Sequence, residues 1–399
     1  MKTRSPTAQR GAATLGIALM MVFAILLSVA FANRSVIFEA RTSANQYRAA
    51  QAFEAAEAGL DWAIAQLNRD APIGDDCLPS SQATASPFRE HGAAVIEAAC
   101  IESDGAWACS CPATGAPKPA GTSSNALGFA IRLAPASQAG LLQLTSIGCS
   151  ESTAACLAGS GSSGARAQVQ VLVGRLPGLD SPPSAALTVR GTPSFSSPSF
   201  VVRHADPRSG GITVHSGSSV DTTLLQLTSS PGTPAAASVI GEDSALAQLS
   251  TQGLFASVFR MDKATWRAQP AVRVVDCKSA CDTSLAQAAH TSLMWLDGGL
   301  KLETPIVLGT PEHPVLLVVD GPVDIHANAT IHGVIYATSP SWTDTAGASI
   351  NGAVLVEGDL QATGATRINH NATTLQTLHD HTGSYARVPG SWRDFREPP

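Results

Sequence analysis

Charged and aromatic side chains are scarce in this 399-residue chain, and basic residues are not in excess. Lys, Arg, Asp and Glu make up 14% of the residues and the net charge is −6, so nothing predicts a nucleic-acid partner. Aromatic residues make up only 5%, whereas Gly, Ser, Thr and Ala are abundant after residue 70. This composition favours a β-rich protein outside the cytoplasm over a cytosolic enzyme.

The eight cysteines include no CxxC pair, which argues against a zinc site or a redox motif. All of them follow an apolar N-terminal segment, so export would place them in an oxidising compartment and we predict up to four disulfides. Sequence separation favours Cys149–Cys156 and Cys277–Cys281 as local pairs. The other four, whose pairing the sequence leaves open, are Cys77, Cys100, Cys109 and Cys111.

Neither glycine nor proline occurs between Gly16 and Gly59, so nothing in this stretch breaks a helix. Residues 12–32 carry no charge, and 21 residues at about 1.5 Å each cross a bilayer core of roughly 30 Å. Lys2, Arg4 and Arg10 precede them, which predicts a cytoplasmic N-terminus and an outer location for the rest.

Beyond Ala32, apolar residues recur every three or four positions, as in an amphipathic helix. We therefore predict one helix of about 55 residues, roughly 80 Å long, whose second half spans residues 33–70. A secretory signal with a cleavage box at Ala30–Ala32 is an alternative, but the apolar core of such signals is only about 7–15 residues long. A plain membrane anchor is another. The apolar stripe consists of Val36, Ala40, Ala44, Tyr47, Ala50, Phe53, Ala56, Leu60, Ile64 and Leu67.

A short basic leader, KTRSPTAQRG, ends in glycine directly before the apolar helix, which resembles the type IV pilins and pseudopilins. The run AFEAAEAGLDWAIAQL resembles the PilX-type minor pilins in particular. The resemblance implies that residues 1–11 are a leader, cut by a prepilin peptidase between Gly11 and Ala12. The apolar half would then anchor the protein in the membrane and later pack in a fibre. Small residues permit close helix packing there, and the predicted assembly residues are Ala13, Gly16, Ala18, Phe23, Leu26 and Leu27.

Two positions depart from the major pilins, which begin with Phe and carry Glu as the fifth mature residue. Here those positions hold Ala12 and Gly16. In the family, the Glu neutralises the N-terminal amine of a neighbouring subunit, and an unpaired charge in an apolar core is costly. Since PilX-type proteins often lack this Glu, its absence implies a minor subunit at a fibre tip.

Residues 71–178 begin with loops and continue with three strand-like runs, which predicts a small antiparallel pilin-like sheet over the outer half of the helix. Residues 179–399 follow a proline-rich break, LPGLDSPPS, and contain a repeat with an offset of 37 residues. IHGVIYA, INGAVLV and INHNATT begin at Ile331, Ile350 and Ile368. Strands recurring about every 18 residues predict a short parallel β-solenoid with stacked isoleucines and glycine corners, and a β-sandwich is the alternative.

No motif predicts catalysis, a cofactor or a metal ion. Paired carboxylates serve glycan-cleaving solenoid enzymes, but Asp320 and Glu357 occupy matching repeat positions beside a glycine, as corner residues do. His215, Ser216 and Asp221 have the composition of a triad, yet neighbours in sequence rarely form one.

The sequence thus predicts an α+β, non-enzymatic minor pilin of PilX type. We expect a single pass through the inner membrane with the C-terminal part periplasmic, and later a place in a pilus. The expected partners are other pilins, the prepilin peptidase and a large tip adhesin. Two rivals are a tip-type pseudopilin of a type II secretion system and a membrane-anchored, carbohydrate-active β-solenoid protein.

Overall fold

The computed structural model confirms an α+β chain with a long N-terminal helix and a mainly β remainder. It describes residues 12–82, 85–90, 95–119, 126–151, 154–157, 164–206, 209–279, 281–288 and 290–394. The predicted leader, including Gly11, lies outside the described residues.

Helix α1 spans Ala12–Leu67, and its 56 residues are unbroken. Its C-terminal end buries one face, formed by Ala52, Ala56, Leu60, Ala63 and Leu67. The sheet was expected to cover the whole predicted apolar stripe, but it covers only the C-terminal part. The first part of the stripe, from Val36 to Ala50, is exposed, because the sheet reaches the helix only from Ala52 onward.

Six antiparallel strands form the sheet under this end of α1, in this order: β25 (Gly383–Arg387), β7 (Arg166–Pro177), β6 (Leu141–Cys149), β5 (Gly128–Pro135), β3 (Ile96–Ser103) and β4 (Ala106–Ser110). The helix crosses β5, β6 and β7. A Cβ atom on Gly148 of β6 would lie 2.0 Å from the carbonyl oxygen of Ala52, so the missing side chain sets how closely helix and sheet approach. The other elements of this part are β1 (Pro72–Ile73), β2 (Ser86–Pro87), a 3₁₀ turn (Phe88–Glu90) and α2 (Ala154–Leu157).

All eight cysteines form disulfides. The two local pairs are Cys149–Cys156 and Cys277–Cys281. The four cysteines whose pairing the sequence left open form the disulfides Cys77–Cys111 and Cys100–Cys109. The second of these joins directly opposed residues of β3 and β4.

Residues after 179 form a large sheet and a five-stranded sheet, and every strand pair within these two sheets is parallel. The first elements are β8 (Ala185–Val189), β9 (Pro193–Phe195), β10 (Phe200–Arg203), β11 (Ile212–Ser216), β12 (Leu225–Thr228), a 3₁₀ turn (Ala235–Ser238), β13 (Val239–Ile240), α3 (Ser244–Gln248), α4 (Thr251–Phe259) and α5 (Lys263–Arg267). They are followed by β14 (Val272–Asp276), α6 (Cys281–Gln287), β15 (Leu293–Asp297), β16 (Leu300–Leu302), β17 (Ile306–Leu308), β18 (Val315–Asp320), β19 (Val323–Ile325), β20 (Ala329–Ala337), β21 (Ser341–Asp344), β22 (Ser349–Val356), β23 (Leu360–Gly364), β24 (Arg367–Asn369) and α7 (Ala372–His381).

Strands β20, β22 and β24 place Ile331, Ile350 and Ile368 opposite one another, and all three side chains are fully buried. Gly333 and Gly352 are also opposed. A Cβ atom on either would lie 1.8 Å from a carbonyl oxygen of the preceding strand, so the stacked strands require glycine there.

The chain lays down this parallel region in two passes. Strands β8, β9 and β10 come first in the chain. After the helices α3–α5, the later strands extend the sheets until the last of them lie beside these first strands. Consequently β22 pairs with β8, β23 with β9, and β24 with β10. The helices cover the outer face of the large sheet, where Phe255 and Phe259 of α4 contact Tyr336 at ring distances of 5.2 and 5.4 Å.

The last strand does not belong to the parallel region. β25 pairs antiparallel with β7 and forms an edge of the first sheet. The sequence placed residues 179–399 in one C-terminal domain, so residues 383–387 cross that boundary. Sequence patterns do not predict that β25 joins the first sheet, because the sequence of a five-residue edge strand does not indicate which strand it pairs with.

Candidate assembly surface

Residues 13–51 of α1 form a surface that the rest of the described chain leaves almost uncovered. The helix is long and apolar enough to cross a membrane. Large side chains such as Leu15 and Phe31 are 68% and 78% exposed. The predicted assembly residues all lie exposed on this part of the helix: Ala13, Gly16, Ala18, Phe23, Leu26 and Leu27. Ala12 begins the helix.

Charge is unevenly distributed along α1. Residues 33–51 hold three arginines and one glutamate, a net charge of +2, and residues 52–67 hold three acids and no base, a net charge of −3. Arg34, Arg41 and Arg48 are seven residues apart and exposed, so they lie along one helix face with a drift of about 20° per step. We call these three residues the arginine row.

One flank of the acidic end of α1 is covered by residues 383–393, which we call the C-terminal strap. Arg387 of the strap pairs with Asp61 at 2.7 Å and with Glu57 at 3.5 Å. The indole nitrogen of Trp392 donates to Glu57 at 2.6 Å, and its ring meets Phe53 edge-on. Both partners of Trp392, Glu57 and Phe53, lie on α1.

The opposite flank of the same helix end is open. There α1 and the hairpin of β3 and β4 enclose a groove of about 270 Å³. We call it the flank groove, and its main lining residues are Glu54, Ala55, Ala58, Glu102, Trp107 and Leu127. Glu102 and Trp107 are directly opposed across the hairpin, so they face the same side of the sheet. Trp107 packs edge-on against buried Phe129 and remains 37% exposed.

The carboxylates considered for catalysis do not come together. Asp320 is exposed at the end of β18, whereas Glu357 is 3% exposed and pairs with Lys263 at 2.6 Å. Glu357 lies in the bend between β22 and β23, as a corner residue does, and it also forms a buried ion pair there. Burial raises the pKa of Tyr336, and the neighbouring carboxylate of Glu357 raises it further.

The triad composition likewise does not form a triad. His215 pairs with Asp243 at 2.7 Å, whereas Asp221 accepts from Thr223. The hydroxyl of Ser216 donates to the carbonyl of Gly191. Within the residues that the structure describes, no group of three or more His, Cys, Asp or Glu side chains could hold a metal ion.

Two histidines stack at a corner of the parallel region. His370 follows β24 at the position that Gly333 and Gly352 hold in the preceding strands, and His204 follows β10. The two imidazole rings are 3.7 Å apart and nearly parallel. Burial lowers the pKa of His370 below its ordinary 6.5, and the neighbouring His204 lowers it further. Sequence reasoning missed this pair, since the residues are far apart in the chain.

Comparison with known proteins matches residues 10–61 to the PilX N-terminal family. The predicted resemblance is thus confirmed for this segment, which ends inside the part of α1 that packs on the sheet. Among solved structures, the competence-associated pilin ComZ from Thermus thermophilus aligns with 86% of this chain and 97% of its own. The identity is 13% and the TM-score 0.21, too low to show a shared fold. No curated protein matches the chain.

Proposed function

Because residues 10–61 match the PilX N-terminal family, we propose that the chain is a minor pilin of a type IV pilus. Helix α1 anchors it in the inner membrane, and the same helix later packs beside other pilins in a fibre. A prepilin peptidase removes residues 1–11. The remainder is displayed outward at the tip, where it primes assembly or presents a large adhesin. The proposal includes no catalytic role and no cofactor.

The structural observation that supports this proposal is the uneven burial of α1. About 40 residues, from Ala12 to Gln51, extend from the folded part, and the apolar ones among them need lipid or other helices as neighbours. Only the last third is fixed to the sheet by close contacts such as that of Gly148 with Ala52. The N-terminal part of such a helix can exchange lipid neighbours for the helices of other subunits.

The finer architecture is part of the proposal. The antiparallel sheet under α1 serves as the pilin-like unit. The parallel strands in which Ile331, Ile350 and Ile368 are stacked form a short solenoid, which makes the C-terminal domain bulky. A bulky domain is easier to place at the end of a thin fibre than along its side, which supports the tip position.

The mature N-terminus tests the proposal. We expect mass spectrometry of the protein from cells with an active prepilin peptidase to find Ala12 as the first residue. The substitution Gly11→Val should leave Met1 in place, whereas Ser5→Val, in the same leader, should not. A first residue of Asn33 would indicate a conventional secreted protein, and retention of Met1 in the unaltered protein would indicate a plain anchor.

A further inference from the structure

The two flanks of the acidic end of α1 have matching chemistry, but only one of them holds a cation. On the strap side, Glu57 accepts a hydrogen bond from Trp392, and both Glu57 and Asp61 pair with Arg387. On the groove side, the same ingredients recur as two carboxylates and a tryptophan, namely Glu54, Glu102 and Trp107. No described cationic side chain pairs with Glu54 or Glu102. The flank groove therefore lacks the charge that the strap supplies on the other side.

The shape and chemistry of the groove fit a guanidinium group. Two carboxylates suit its fork of donors, and the face of an indole ring attracts a cation that stacks on it. The floor is made by the small side chains Ala55 and Ala58, which leave room for a long side chain to lie along the helix. A lysine has neither the planar fork nor the stacking surface.

The arginine row supplies such groups on the same chain, but not within the same molecule. Arg41 is 13 residues before Glu54, which on a continuous helix is a distance of about 20 Å along the axis. The exposed segment that carries the row has a net charge of +2, whereas the groove holds the carboxylates of Glu54 and Glu102. This complementarity points to contact between two molecules displaced along the helix axis.

We propose that the flank groove of one molecule receives an arginine of the arginine row of a second copy of this chain. This inference rests on the fibre assembly in the proposed function, because parallel packing of α1 brings two copies together, and it places two adjacent copies of this chain at the fibre tip. Successive arginines of the row are about 10.5 Å apart along the helix axis. A shift of one molecule by that distance along the other therefore brings the next arginine to the groove. It adds charge pairing above the membrane to the apolar packing of residues 12–32.

A photo-cross-linker placed at Ala58 in the full-length protein tests the contact. Two differently tagged copies are expressed together, and the cross-linked peptides are identified by mass spectrometry. We expect the peptides to come from residues 33–51 of the second copy. The same cross-linker at exposed Ala236, in the C-terminal half, should not capture that segment and serves as the matched control.

Charge exchange gives a second measurement. The double substitution Glu54→Lys with Glu102→Lys, in the copy that carries the cross-linker, should lower the yield of cross-links to residues 33–51 at least fivefold. Arg41→Glu with Arg48→Glu in the other copy should do the same, and combining the two sets should restore the yield. Since all four side chains are exposed, protease resistance of the folded part should be unchanged in every variant.

The outcomes separate this inference from the proposed function. Cross-links to another pilin or to another region overturn the second-copy contact, as does an unchanged yield after charge reversal. If cross-links are absent although the protein begins at Ala12 and is found in fibres, the inference fails and the proposed function stands. If cross-links to residues 33–51 form while Met1 is retained, the contact stands and the proposed function fails.

Discussion

The side-chain amide of Asn68 pairs with both backbone groups of Tyr385, 317 residues further along the chain. It donates to the carbonyl at 2.9 Å and accepts from the amide at 2.8 Å, as a neighbouring strand would. The side-chain amide of Asn68 also donates to the carbonyl of Ile64, which accepts the backbone amide of Asn68 as well. One buried residue thus closes α1 and holds the C-terminal strap against it.

Replacing Asn68 with Ala should lower the free energy of unfolding by about 1–3 kcal/mol, because partly buried backbone groups of Tyr385 lose their partner. Urea unfolding of the full-length protein in detergent, followed by tryptophan fluorescence, measures the change. Asn45→Ala, on the exposed part of the same helix, is the control and should change stability by less than about 0.5 kcal/mol. Equal effects of the two substitutions would contradict the role of Asn68 in holding the strap.

Adding one methyl group at Gly148 should push α1 away from the sheet. The new Cβ atom would lie 2.0 Å from the carbonyl oxygen of Ala52 and 2.3 Å from the amide nitrogen of Ala56, and neither backbone atom can move without the helix. We expect Gly148→Ala to cost about 1–3 kcal/mol in urea unfolding. Gly358→Ala is the matched control, since no atom lies within 4 Å of its added Cβ. A stable Gly148→Ala protein would show that helix and sheet are packed less closely than described.

Acid should destabilise the protein through His370. Burial holds the pKa of this imidazole below 6.5 in the folded state, and His204 lowers it further, although the carbonyl of Pro183 and the charge of Asp206 act in the opposite direction. Below pH 6.5 the unfolded chain therefore binds more protons than the folded one, so stability falls as the pH falls from 6.5 to the folded pKa.

The variant His370→Asn separates this contribution from that of other groups. Its stability should be lower at neutral pH, but the further loss between pH 7.5 and pH 5 should be smaller than in the unaltered protein. Urea midpoints across that range measure both slopes. Identical slopes in the two proteins would exclude His370 as the titrating group.

Local patterns predicted the long helix, the coarse fold class and the two short disulfide loops, because each depends on neighbours in sequence. An uncharged run, an unbroken helical period and two closely spaced cysteines are visible without the fold. The extent of helix burial was not predictable, because an apolar stripe looks the same whether a sheet or another subunit covers it. Val36 and Leu60 belong to the same pattern, yet only Leu60 is buried by the chain itself.

The flank groove and the strap could not be derived from sequence for a related reason. Glu54 and Glu102 meet across a helix and a hairpin, and Arg387 reaches Glu57 from the other end of the chain. Single charged residues at such distances carry no periodic signal. The heptad spacing of Arg34, Arg41 and Arg48 was the one part of the proposed contact that the sequence could have shown.

Buried and exposed ion pairs in the C-terminal half should differ in what they contribute. Lys263 of α5 and Glu357 pair with side chains 24% and 4% exposed, whereas the side chains of Lys301 and Glu303 are 51% and 52% exposed. Lys263→Met leaves a buried carboxylate without its cation and should cost about 3–5 kcal/mol. Lys301→Met should cost no more than about 1 kcal/mol, because water replaces the partner.

A double substitution distinguishes loss of the pair from loss of packing around Lys263. Glu357→Gln removes the buried charge, so Lys263→Met combined with Glu357→Gln should be less damaging than the sum of the two single changes. Urea unfolding of the four proteins in the cycle gives the coupling energy. If the effects simply add, the attraction between the two charges does not stabilise the fold, and the helix α5 is held on the sheet by Trp266 and its other apolar contacts alone.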